Sequence, residues 1–143
     1  MPSPSPITVR VRYGETDKMG VVYHANYFVW FEMARVELFR DLGFSYKEME
    51  ADNCHLPVVE ATCRYRAPAH YDETLTVETR VALLRHSLFK FSYRLTRDTG
   101  DDLPPVLLAE AETTHILVDG EMKMRRLPER YVEALRDAAL AEW

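Results

Sequence analysis

Asp17 and His24 are the side chains in this sequence whose types and spacing best suit chemistry at a carbonyl. They bracket a polar turn, Asp17-Lys18-Met19-Gly20, and stand just ahead of an apolar run over residues 26–41. A carboxylate can attack a carbonyl carbon or take a proton from water, and a histidine can move protons near neutral pH. The first turn of a helix leaves backbone N–H groups unpaired and backed by the helix dipole. A helix beginning near His24 therefore offers donors to a developing oxyanion. Asp-x-x-Gly is also an ordinary turn sequence, so this spacing alone leaves a purely structural role for Asp17 open.

The elements that must position these residues follow from hydrophobic periodicity. Within residues 26–41, Tyr27, Phe28, Val29, Trp30, Phe31, Met33, Ala34, Val36, Leu38 and Phe39 make an apolar surface wider than one stripe, which predicts a helix surrounded by other elements. Asn26 is expected to cap its start and Gly43 to end it in a left-handed conformation, and Glu32 to pair with Arg35 one turn on. Ahead of the turn, Ile7, Val9, Val11 and Tyr13 alternate with polar residues, predicting a half-buried strand that points Tyr13 inward, where its hydroxyl could join the same pocket. Ser45 and Glu48 have capping-box spacing and predict a short helix over 46–52. Further strands are expected over 58–67 (Val59, Ala61, Cys63 and Tyr65 inward), 74–84, 87–97 and 106–118. Asp119-Gly120 signals a hairpin into a sixth strand over 121–126, and Pro128 suits the start of a last helix. One greasy helix and five or six mostly antiparallel strands predict an α+β architecture in which a curled sheet wraps the helix. Sheet edges left over predict that subunits pair.

The chain has 143 residues, a size that predicts a single domain, placed over 7–143, and the opening MPSPSP, with three prolines and two serines ahead of any apolar pattern, predicts a floppy lead over 1–6. A net charge of −5 argues against a nucleic-acid partner. Two cysteines without a motif and no leader predict a reduced, cytoplasmic protein. Glu32, Arg35, Glu37 and Arg40 interrupt the apolar run, so no membrane span is expected. The five histidines lack metal-ligand spacing, so no metal is expected, and the neighbours Cys54 and His55 are poorly placed to converge as nucleophile and base. Arg85, His86 and Lys90 form a small basic group where two strands meet; it suits either a solvated turn or a clamp for phosphates, with Arg64, Arg66, Arg125 and Arg126 as rivals.

The run Asp17-Lys18-Met19-Gly20-Val21-Val22-Tyr23-His24-Ala25-Asn26-Tyr27 resembles the D-x-x-G-V-V-Y-x-x-x-Y signature of the 4-hydroxybenzoyl-CoA thioesterase family of hotdog-fold proteins, in particular its Tol-Pal-associated acyl-CoA thioesterase branch. The resemblance extends over residues 9–118 and takes in Glu32-x-Ala34-Arg35, Val58-Val59-Glu60-Ala61 and Pro68-Ala69-x-Tyr71-Asp72-Glu73; Lys18-Met19 departs from the small residues or proline common in that family. It implies a hotdog fold and hydrolysis of an acyl-CoA to a carboxylic acid and coenzyme A, without a cofactor, by a homodimer or homotetramer. Asp17 would be nucleophile or general base and the His24 backbone the oxyanion donor, with the His24 imidazole and Tyr13 assisting. Gly20, Val22, Tyr23, Asn26 and Val59 would lie against the substrate, and Arg85, His86 and Lys90 would meet the phosphates of coenzyme A. A non-catalytic acyl-CoA-binding or interaction protein on the same fold is the alternative, because a fold does not by itself imply chemistry.

Overall fold

The computed structural model describes residues 6–100 and 102–139, so all but the last residue of the expected lead lies outside the described residues. In chain order the elements are β1 (Ile7–Arg10), a 3-10 turn (Tyr13–Glu15), α1 (Asn26–Asp41), α2 (Tyr46–Ala51), β2 (Val58–Tyr65), β3 (Thr74–Arg85), β4 (Leu88–Arg97), β5 (Val106–Ile116) and α3 (Glu129–Ala138). The five strands form one antiparallel sheet in the order β1-β3-β4-β5-β2. Strands β1 and β2 are consecutive in sequence yet lie on opposite edges. The segment between them must cross the sheet, and it carries α1 over the inner face.

Packing follows from that crossing. Tyr27, Trp30, Phe31, Ala34, Leu38 and Phe39 of α1 are buried with Leu75, Val77, Val81, Phe89, Phe91, Tyr93 and Leu95 of β3 and β4. Phe31 stacks on Tyr93 with ring centroids 4.8 Å apart. At the far end of α1 the Gly43 N–H reaches the Arg40 carbonyl (3.0 Å) and the Phe44 N–H the Phe39 carbonyl (3.1 Å), with Gly43 at φ 96°. This is a Schellman cap, completed by the stacked Phe39 and Phe44 rings. Ser45 caps α2 as expected, accepting from the Glu48 N–H at 3.1 Å.

A buried polar chain crosses the core. His115 is fully buried, and its Nδ1 lies 3.0 Å from the Leu56 carbonyl. That carbonyl can only accept, so Nδ1 carries the proton and Nε2 accepts from the Thr113 hydroxyl at 2.8 Å. Thr113 in turn accepts from the Tyr93 O–H (2.6 Å), and Tyr93 from the Arg35 guanidinium (3.0 Å). Burial pushes the His115 imidazole down to about 4. Arg35 thus turns inward to Tyr93, and no ion pair joins it to Glu32 among the described residues.

Several expectations are corrected. The helix is not surrounded: Val29 and Met33, one turn apart, are 51% and 47% exposed, because a single sheet covers only one side of it. Ala25, not Asn26, occupies the cap position of α1. Tyr13 does not point inward. Strand β1 stops at Arg10, and the bonds from Glu15 N–H to Arg12 (3.0 Å) and from Thr16 N–H to Tyr13 (3.1 Å) close a turn that leaves Tyr13 76% exposed beside Tyr71. In β2 the alternation does not correspond to a buried face: Val59, Ala61 and Tyr65 are exposed, because α1 packs over β1 and β3 at the other side of the sheet. No sixth strand forms among the described residues. The Asp119 carboxylate takes the N–H groups of Glu121 (2.8 Å) and Lys123 (3.0 Å), leaving one isolated bridge between Val118 and Met124. The chain then peels away, with the Arg125 guanidinium on the carbonyls of Asp52 and Asn53.

Candidate active site

The Asp17 turn is a miniature hairpin. The Gly20 N–H donates to the Asp17 carbonyl (3.0 Å), the Asp17 N–H to Val21 (2.8 Å), and Thr16 and Val22 form an antiparallel bridge. Gly20 sits at φ 82°, a left-handed conformation that costs a residue with a Cβ, which is the physical reason for glycine here. Asp17 Oδ1 accepts the Met19 N–H at 2.9 Å. Its other oxygen has no protein partner among the described residues. The half-buried carboxylate is therefore held at one oxygen and free at the other.

Beyond the hairpin the chain enters α1. The N–H groups of Tyr27 and Phe28 turn back to His24 and Ala25 (both 3.3 Å), and that of Asn26 to Tyr23 (2.9 Å). Among the described residues no acceptor pairs with the N–H of His24, so the donor expected at the head of the helix is open. The turn is tied to the helix through Glu15: its carbonyl accepts the Tyr23 N–H (2.9 Å) and Asn26 Nδ2 (2.8 Å).

Asp17 and His24 line one cleft of about 320 Å³ with Val21, Val22, Tyr27 and the residues at the end of β2, Tyr65 to Pro68. The Tyr65 hydroxyl donates to the His24 carbonyl at 3.1 Å. Burial, then its contact with Cys63, pushes the Tyr65 phenol far up, so it stays protonated and remains a donor. Tyr27 is buried, which raises its phenol as well, and its ring lies 5.1 Å from that of Tyr65. The arrangement combines a carboxylate, an unpaired N–H in the turn that leads into α1 and an aromatic wall. That is what carbonyl hydrolysis requires: a base or nucleophile, an oxyanion donor and a surface to hold the acyl group. No three histidine, cysteine, aspartate or glutamate side chains are grouped to hold a metal ion among the described residues.

Of the residues singled out from sequence, Asp17, Val22 and His24 meet in this cleft. Gly20 shapes the turn, Asn26 ties it to the helix, and the exposed Tyr23 ring lies 4.6 Å from the His24 ring. Tyr13 is turned outside. Val59 lies at the opposite end of β2 from Tyr65. Arg85 and His86 line a different cavity of about 750 Å³ with Arg126, Arg136 and Val132. That cavity is at the far end of the sheet: Leu95 and Ala109 neighbour Tyr65, whereas Arg85 pairs with Leu88, seven residues or roughly 23 Å along β4. Lys90 stands apart from both, 3.5 Å from Glu112. Sequence reasoning missed Glu15 and Tyr65. Arg12-x-x-Glu15 has capping spacing, but nothing local ties Tyr65 to a residue 41 positions earlier.

A sequence model described as the thioesterase-like superfamily matches residues 11–138, nearly the whole described chain. The chain belongs to this superfamily. Among its relatives, YneP of Bacillus subtilis strain 168, provisionally named an acyl-CoA thioesterase, is 41% identical over 79% of this chain and 78% of its own. The acyl-CoA thioester hydrolase YbgC of Escherichia coli O6:H1 is 37% identical over 87% of this chain and 90% of its own. In structure the chain is similar to the hypothetical protein TT1821 from Thermus thermophilus, with a TM-score of 0.86, 40% identity, and coverage of 94% of this chain and 98% of that one. The resemblance drawn from the Asp17 motif is borne out, and the architecture is the hotdog fold. The protein is a thioester hydrolase. No described helix is long and apolar enough to cross a membrane.

Proposed function

We propose that this hydrolase cleaves the thioester of an acyl-CoA, releasing a carboxylic acid and coenzyme A, with Asp17 as nucleophile or general base. The observation that carries the reading is that Asp17 and His24 border the same cleft, and that among the described residues one Asp17 oxygen and the His24 N–H lack protein partners. The thioester oxygen would take the His24 N–H, gaining strength as negative charge develops on it in the transition state. Asp17 would then attack the carbonyl carbon and the C–S bond would break, releasing the coenzyme A thiolate and leaving a mixed anhydride that water opens; alternatively Asp17 would deprotonate a water whose attack expels the same thiolate. The Tyr65 hydroxyl, bonded to the His24 carbonyl, holds the next peptide along and so supports the placement of His24. Release of free thiol from a panel of short, long and aromatic acyl-CoAs tests the reading; no release above the uncatalysed rate from any of them overturns it.

The working unit in this reading is a homodimer, alone or paired into a tetramer. Strand β2 is a sheet edge with Val58, Val59 and Tyr65 exposed, and a second copy is a natural neighbour for such an edge. Antiparallel pairing of β2 with its counterpart would bring the Val58 end of one chain to the Tyr65 end of the other. The partner's Val59, and the hairpin end carrying the partner's Arg85 and His86, would then approach Asp17. Residues that one chain holds apart would serve one substrate, with Arg126 and Arg136 joining Arg85 and His86 at the phosphates. The thiol panel assayed above and below the dissociation concentration tests this: activity per chain should fall on dilution to monomer.

A further inference from the structure

We propose that Glu15 is a positioning residue for thioester cleavage: its buried carboxylate clamps the Asp17 turn to helix α1 and so sets the aim of Asp17 toward the carbonyl held at His24. This rests on the role of Asp17 proposed above. Glu15 does not line the cleft and acts through its neighbours.

Glu15 is 6% exposed, and its carboxylate is fully engaged. Oε1 accepts the Arg12 N–H at 2.8 Å; Oε2 accepts the Arg12 guanidinium at 3.3 Å and the Trp30 indole N–H at 3.1 Å. Burial alone would raise its pKa, but the Arg12 and Trp30 donors outweigh burial and hold the group below the ordinary glutamate range. The main-chain carbonyl of the same residue takes the Tyr23 N–H and the Asn26 amide. One residue thus ties the end of the first strand, the exit of the Asp17 hairpin and the first and second turns of α1.

A buried carboxylate is a poor way merely to fill space. Its desolvation costs several kcal/mol, and an apolar side chain of similar volume packs as well or better. What the carboxylate supplies is direction. Charge-assisted hydrogen bonds to two separate segments fix their distance and angle, whereas apolar contacts let one surface slide over the other. The direction is passed to the chemistry along two routes. Asp17 follows Glu15 by two residues in a closed hairpin. From Trp30, a stacked contact leads to Tyr27 (5.4 Å) and a tilted one from Tyr27 to Tyr65 (5.1 Å), and the Tyr65 hydroxyl returns to the His24 carbonyl. The reacting carboxylate and the oxyanion donor are thereby referred to one anchor.

The test compares Glu15→Gln, Trp30→Phe, Glu15→Gln/Trp30→Phe and Asp17→Asn in the full chain, measuring kcat and KM for the best acyl-CoA of the panel together with the thermal midpoint. Glutamine keeps the size of Glu15 but loses the charge and one acceptor, and a misplacement near 1 Å can cost about a hundredfold in rate. Glu15→Gln should lower kcat roughly tenfold to a hundredfold with KM within about twofold. Trp30→Phe should lower it by about threefold to tenfold, and the double variant should be little worse than Glu15→Gln, because both changes break the same bond. A role confined to stability would lower the midpoint and leave kcat intact in the folded protein, and that result overturns the proposal. So does a rise in KM at unchanged kcat. Should Glu15→Gln fail to fold, Trp30→Phe decides alone: kcat unchanged in the folded protein overturns the proposal. Full activity in Asp17→Asn sinks the reading of the site and the positioning of Asp17 with it, whereas an inactive Asp17→Asn beside a fully active Glu15→Gln removes the positioning role alone.

Discussion

Asp17→Asn separates the chemistry of the carboxylate from the turn it sits in. The main-chain bonds that close the hairpin, Asp17 N–H to Val21 and Gly20 N–H to Asp17, do not involve the side chain. The one side-chain bond in the turn, Met19 N–H to Oδ1, can be kept by the asparagine carbonyl oxygen. The fold should therefore lose no more than about 1 kcal/mol. The other oxygen becomes an NH₂ group, which can neither attack a carbonyl usefully nor take a proton from water. Loss of a general base costs about a hundredfold to ten-thousandfold, or about 2.7 to 5.5 kcal/mol in the barrier, and loss of a nucleophile at least as much. Thiol release followed with a chromogenic thiol reagent should show this loss in kcat, with KM little changed because the aromatic wall and the His24 N–H remain. A folded Asp17→Asn enzyme within a few-fold of wild type would refute the mechanism and point to a different nucleophile.

Other outcomes follow from the same geometry. Sedimentation should find at least a dimer at micromolar concentration, and a stable monomer there would remove the shared site. Replacing Arg85 and Arg126 by alanine should raise KM for acyl-CoA while barely changing hydrolysis of a truncated acyl thioester without the nucleotide; equal losses on both would exclude a phosphate clamp. Phe31→Ala should destabilise the fold by about 3 to 5 kcal/mol in urea unfolding, since the fully buried ring stacks on Tyr93. His115 is held neutral down to about pH 4, whereas an unfolded histidine takes its proton near 6.5. Between those values the unfolded chain binds the extra proton, so stability should fall as pH drops from about 6.5 to 4, by an amount on the order of 3 kcal/mol. Thermal midpoints across that range check the sign, and His115→Gln should flatten the slope.

Much of this protein is determined locally and is therefore legible in the chain. The Asp17 hairpin follows from an aspartate that can cap its own turn and a glycine that tolerates φ 82°, three residues apart. The end of α1 follows from Gly43 with its flanking phenylalanines, and β3 and β4 from strict alternation against one core. These signals lie within a few residues of what they specify. The tertiary structure decided the rest. Whether an alternating strand has a buried face depends on what covers it. Tyr65 and Val59 alternate as faithfully as Phe89 and Phe91, yet β2 is an exposed edge and β4 lies beneath the helix. A 3-10 turn of one residue triplet was enough to swing Tyr13 out of the line of its strand. The links that build the site join positions far apart in sequence: Glu15 to Trp30, and Tyr65 to the His24 carbonyl across 41 residues. Such contacts exist only once the crossing between β1 and β2 lays α1 over the sheet, because hydrogen bonds act over about 3 Å and chain periodicity does not encode which distant groups come within that reach.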